Sequence, residues 1–132
     1  MHAIWFTPTT ARRALQQIRP VAERVCALYR ALEVRQRSSI ESDQRVDSGY
    51  FAILARYAAR VEELRRHGVR LRDPRCGALD FPARRAGRPV CLCWRVGEPA
   101  LRFWREPGDH ELERRPLEGD DGSWDEDAPA RR

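Results

Sequence analysis

The chain contains no lysine, and all 25 of its basic residues are arginine. Every basic contact it makes is therefore through a planar guanidinium that keeps its charge at neutral pH and suits bidentate pairing. Ala, Gly and Pro are abundant beside Arg, which assigns the bias to a GC-rich genome rather than to selection for one ligand. No apolar run approaches the ~20 residues that a membrane-spanning helix needs. The start, Met1-His2-Ala3-Ile4-Trp5-Phe6, has neither the basic region nor the apolar stretch of a secretory signal, so a cytoplasmic location and no membrane partner are expected. The four cysteines, Cys26, Cys76, Cys91 and Cys93, form no C-x-x-C pair. A zinc site from Cys76, Cys91, Cys93 and His110 departs from the standard ligand spacings. Reduced thiols acting as small hydrophobes are expected instead, with no cofactor. His2, His67 and His110 are scattered, and there is no Ser-His-Asp order, nucleophile elbow or phosphate-cradling glycine loop.

What is present suits one domain: 132 residues, 42% apolar and 34% charged. Charge is distributed unevenly. Residues 1–105 hold 21 Arg against 10 acids, while residues 106–132 hold 4 Arg against 10 acids. The body is basic and the C-terminal segment acidic. Residues 118–132 offer six acids, two arginines and a lone Trp124, too little apolar surface to offset ordering entropy, so a disordered acidic tail is expected there.

Thr7-Pro8 reads as a helix start, with Thr7 as N-cap and Pro8 at the first helical position. Apolar residues then recur in threes and fours from Ala14 and Leu15 to Leu32, an amphipathic helix with Pro20 inside it. The stretch from about Arg37 to Asp47 is polar and aperiodic and reads as a connection. A second helix is expected to begin near Asp43–Ser48, with its stripe at Tyr50, Ile53, Leu54, Tyr57, Ala58, Val61 and Leu64 and a stop at Gly68. Two helices joined by a short polar loop pack antiparallel. After Gly68 the period drops to two. Short strands are expected at Val69–Arg72, at Leu79–Phe81 closed by Pro82, at Val90–Val96 and at Ala100–Arg105, separated by Gly- and Pro-containing turns. The expected fold is α+β: an N-terminal antiparallel helical hairpin over about residues 7–68, then a small antiparallel β-hairpin or meander over 69–117.

The candidate binding cluster lies at the β turns: Asp73, Asp80, Trp94, Arg95, Glu98, Trp104 and Arg105. Three carboxylates near one sheet end have the chemistry of general acid–base groups or hard-metal ligands. The plainer reading has Asp73 and Asp80 capping turns, Glu98 paired with Arg95 or Arg102, and both tryptophans in packing. Arg12-Arg13, Arg65-Arg66, Arg70, Arg72 and Arg84-Arg85 are candidate phosphate contacts. No nucleic-acid reader module accompanies them, and the acidic tail competes for the same surface.

Arg72-Asp73, Gly77-Ala78-Leu79-Asp80-Phe81-Pro82 and Leu92-Cys93-Trp94-Arg95-Val96-Gly97-Glu98-Pro99, in that order, resemble the bacterial domain-of-unknown-function family 2203. Its pattern is Lys-Asp, Gly-Leu-x-Asp-Phe-Pro and Leu-Cys-Trp-x-x-Gly-Glu-Pro. Phe6-Thr7, the paired helices and Arg114-x-Pro116-Leu117 extend the resemblance over about residues 4–117. It implies no established activity. The chain departs from the pattern at Arg72 for Lys, at Ala78 for Leu, at His110-Glu111 for Gly-Phe, and at Arg105 where the family carries His. A guanidinium neither ligates metals nor shuttles protons at neutral pH, so a chemical role of that His is altered here.

These features lead to a non-catalytic interaction or binding module, forming a homo-oligomer through the helical hairpin. An enzyme using Asp73, Asp80 and Glu98 is the alternative, and a weak, non-specific nucleic-acid binder a third.

Overall fold

The computed structural model describes residues 5–110, 113–117 and 124–125. Helix α1 spans Pro8–Glu41 and helix α2 Ser48–Arg66. Five strands follow: β1 Arg70–Asp73, β2 Ala78–Arg85, β3 Arg88–Arg95, β4 Phe103–Arg105 and β5 Arg115–Pro116. They form one antiparallel sheet in chain order. The fold is the α+β arrangement that the sequence periodicity predicts.

Helix α1 starts as its sequence dictates. The Thr7 hydroxyl accepts the Thr10 N–H, and Thr10 Oγ1 accepts the Thr7 N–H, closing a capping box ahead of Pro8. The helix runs on through Arg37–Glu41, residues that read as connection from sequence. Gln36, Arg37 and Glu41 are sound helix formers despite their polarity, and a helix that projects into solvent needs no buried face there. The connection shrinks to residues 42–47, with Asp47 capping α2 by accepting the Tyr50 N–H at 3.1 Å. The antiparallel packing is marked by Tyr29 against Tyr57, centroids 5.8 Å apart, and by the Arg35–Asp47 ion pair.

The N-terminal half of α1 lies on the sheet. Ala11, Leu15, Ile18, Ala22 and Val25 join Leu79, Phe81, Ala83, Val90, Leu92, Trp94 and Trp104 in one buried cluster. Strand alternation sends those sheet residues to the helical side and sends Asp80, Pro82, Cys91, Cys93, Phe103 and Arg105 to the other. Gly77 closes the β1–β2 turn at φ +65°, where a Cβ would fall 2.4 Å from Val96 Cγ2, so the turn takes only glycine without rearrangement.

Strand β2 does not stop at Pro82, as the sequence suggested, but continues to Arg85. The Pro82 carbonyl accepts the Phe6 N–H at 2.7 Å on the edge away from β3. The missing N–H of proline points to that same edge, past the end of β1, and costs no ladder bond. The β2–β3 connection is the two-residue turn Ala86-Gly87, both at positive φ (+52° and +80°), a type I′ geometry. A Cβ at the first position is strained. Ala86→Asn, the residue this turn favours, should stabilise the protein by about 0.5–1 kcal/mol. A thermal melt showing no gain or a loss would contradict the assignment.

Candidate functional site

The sheet face turned away from the helices is built from charge pairs. Asp80 sits in the middle of β2 and is 2% exposed. Its Oδ1 accepts Arg72 Nε at 3.0 Å and its Oδ2 accepts Arg105 Nη2 at 2.6 Å. Arg72 comes from β1, at the bulge between Leu71 and Asp73. Arg105 comes from β4, two strands away, with Cys91 and Cys93 of the intervening β3 on the same face. Strands are spaced roughly 4.8 Å apart, so the guanidinium spans the small residues of β3 to reach the carboxylate. The Arg105 Nη1 donates to the carbonyls of Glu106 and Asp109, which anchors the loop after β4. Its Nε has no hydrogen-bond partner among the described residues. Burial opposes the charge of Arg105, but the adjoining Asp80 carboxylate outweighs it together with the neighbouring thiols, and the pKa rises above the ordinary arginine value.

The thiols beside this pair are quiet ones. Burial, reinforced by the Asp80 charge, raises the Cys91 pKa and pushes Cys93 up to about 12. Such a thiol stays protonated at neutral pH and is a poor nucleophile or metal ligand. Among the described residues, no three His, Cys, Asp or Glu side chains converge to hold a metal ion.

Glu98 repeats the bracketed arrangement at the β3–β4 connection. Its carboxylate accepts Arg114 Nη2 at 2.5 Å and the Arg95 N–H at 3.1 Å, and Arg95 Nε lies 3.7 Å away. The Arg114 guanidinium covers Phe103, 4.1 Å from the ring centroid. The Glu98 carbonyl accepts the Trp94 indole N–H at 3.0 Å and faces Arg19 of α1. Asp73, by contrast, caps its own turn. It accepts the Arg75 side chain and backbone N–H, and these bonds hold its pKa below the ordinary carboxylate value.

The seven residues singled out from sequence thus do not form one cluster. Asp80 and Arg105 form the buried pair. Arg95 and Glu98 sit together at the turn, with Trp94 attached only through its indole N–H. Trp104 and the Trp94 ring face the helices, and Asp73 stands apart with Arg75. Two details differ from the sequence reading. Asp80 caps no turn, because it lies inside a longer β2. Glu98 takes Arg114 rather than Arg102, because β5 returns alongside β4. Arg72 and Arg114 are the partners that residue type alone did not assign to these carboxylates. Arg105 serves as the counter-ion of Asp80. Several candidate phosphate contacts are engaged within the chain: Arg12 with the Leu101 carbonyl, Arg65 with Glu62, Arg72 with Asp80, and Arg85 with Trp104.

The profile of a family described as Uncharacterized conserved protein (DUF2203) matches residues 5–117, so the chain belongs to that family. Neither a curated protein nor a solved structure matches it.

Neutralising a carboxylate on this face removes the opposite charge that its arginines pair with. Asp80→Asn should cost about 3–5 kcal/mol, the range for breaking a buried ion pair. Glu98→Gln should cost about 1.5–3 kcal/mol, the worth of hydrogen bonds to a charged group. A pair of unsatisfied catalytic acids would behave oppositely, with neutralisation leaving stability unchanged or raising it. Melts of the two variants separate these signs.

Proposed function

We propose that this protein is a non-catalytic interaction module that self-associates through its helical hairpin. The observation that carries this reading is the second apolar row on α2. One row, Tyr50, Ile53, Tyr57, Val61 and Leu64, is turned inward, yet only Leu64 becomes fully buried. A second row, Phe51, Leu54 and Ala58, faces outward, with Phe51 55% and Leu54 37% exposed. On α1, Val34 and Ile40 stand 59% and 74% exposed beyond Leu32, the last buried residue of that helix. Single exposed hydrophobes are ordinary, but these four large ones all belong to the hairpin. Covering each gains at most about 1.5–3 kcal/mol, since all are already partly covered, and a second copy presents the same row by symmetry.

The enzyme reading has less to draw on. Asp73, Asp80 and Glu98 each already accept hydrogen bonds from arginine. The nucleic-acid reading is weakened in the same way, since many arginines are engaged in ion pairs or stacked on aromatic rings. The Arg-bracketed face is accordingly read as scaffold, and the hairpin as the working surface. No helix is long and apolar enough to cross a membrane among the described residues, so a bilayer-spanning role for the exposed row has no support.

Sedimentation at tens of micromolar should give a mass above the monomer. Phe51→Glu with Leu54→Glu should return a folded monomer with unchanged helix content, its melting temperature lowered only by the stabilisation that association supplies. A wild-type mass equal to the monomer at that concentration would overturn the proposal.

A further inference from the structure

Strand β1 covers the outer edge of β2 only from Ala78 to Asp80. Farther along, Phe6 pairs with Ala83, and beyond it the edge is met by two residues from the acidic segment. Trp124 bridges Arg85 in antiparallel register, and the Asp125 N–H donates to the Arg84 carbonyl at 2.9 Å. The Asp125 carboxylate accepts the Gly87 N–H of the type I′ turn at 2.7 Å and lies 3.9 Å from Arg84 Nε. The Trp124 indole meets Trp104 edge-on, with centroids 5.7 Å apart. The Arg85 guanidinium lies 4.6 Å from the Trp104 centroid and 5.1 Å from that of Trp124. The expectation of disorder for the rest of residues 118–132 lies outside the described residues.

Trp124 and Asp125 thus receive three kinds of contact, all supplied by the body of the protein. An open strand edge reads peptide backbone. A turn N–H beside an arginine reads a carboxylate. A tryptophan with a guanidinium against it reads an aromatic ring. None of the three depends on the ligand being attached to the same chain. The receiving residues Arg84, Arg85, Gly87 and Trp104 lie inside the family-matched region 5–117, and Trp124 and Asp125 lie outside it. The charge separation is also complementary, with 21 Arg against 10 acids in residues 1–105 and six acids against two Arg in residues 118–132.

We propose that the β2 edge from Arg84 to Gly87, backed by Trp104, is a docking site for an acidic peptide segment carrying a Trp-Asp pair, and that Trp124-Asp125 occupies it as an intramolecular competitor. A partner segment binds by adding a strand to β2 after displacing the resident pair. Belonging to the same chain gives the resident a high effective concentration, on the order of millimolar. A free peptide is therefore held off until it binds better than this or arrives at high local concentration. This site is independent of the helical hairpin.

The test uses the full-length chain and a fluorescent peptide copying residues 120–129. Anisotropy is measured for the wild type and for Trp124→Ala/Asp125→Ala, in low and high salt. The double variant should bind the peptide, more weakly as salt rises, and the wild type should bind at least about tenfold more weakly. A peptide with Ala at the tryptophan position should not bind. Adding Arg85→Ala to the double variant should abolish binding. No binding to a double variant that melts like the wild type would overturn the proposal, as would equal binding to both proteins. A double variant that melts far below the wild type would overturn it too, because the segment would then be an integral strand rather than a displaceable ligand.

Discussion

A carboxylate inside a small sheet is costly to bury, and the arrangement around Asp80 is what makes it tolerable. Arg72 on β1 and Arg105 on β4 converge on it from both sides, so one side chain on β2 ties together strands that do not neighbour one another. The requirement propagates. Cys91 and Cys93 are small enough for a guanidinium to pass over β3. The loop after β4 is held by the remaining Arg105 donor group. Register is constrained as well, since a one-residue slip of β2 would turn Asp80 toward the helices and Leu79 and Phe81 toward the arginines. A buried pair of this kind adds less net stability than specificity of arrangement, because desolvation offsets much of the attraction.

The sheet consequently has two unlike faces. One is apolar and covered by the first half of α1. The other is ionic, with its carboxylates bracketed by arginine. The long α1 and the incompletely buried α2 then extend an apolar surface that this small sheet does not cover. Belonging to a family described as Uncharacterized conserved protein (DUF2203) assigns no chemistry to either surface. The contacts proposed above use the outer row of α2, which faces solvent, and the edge of β2, which Trp124 and Asp125 occupy.

Much of this was legible in the sequence, for definite reasons. Thr7-Pro8 and Gly68 mark helix ends because capping and left-handed geometry are local properties. The Leu92-Cys93-Trp94-Arg95 alternation separates the two sheet faces, and it places Trp94 opposite the side that Cys93 shares. What was not legible depends on neighbours distant in the chain. Arg37–Glu41 remains helical because a projecting helix needs no apolar stripe. Pro82 sits inside a strand because β1 ends before reaching it. Arg105 reaches Asp80 across an intervening strand, and Arg114 reaches Glu98 because β5 folds back. Trp124 looked too isolated to order anything, and by composition it was. Its contacts are supplied by Trp104 and Arg85, which no local pattern links to it.

Asp80 and Arg105 hold the outer face as one unit, and a double-mutant cycle in the melting free energy of Asp80→Asn and Arg105→Met measures that directly. A coupling of about 1–3 kcal/mol is predicted, because each single change takes the opposite charge away from the other residue. Additive effects, with coupling near zero, would mean that the two residues hold the sheet independently, and the central role given to this pair would be wrong.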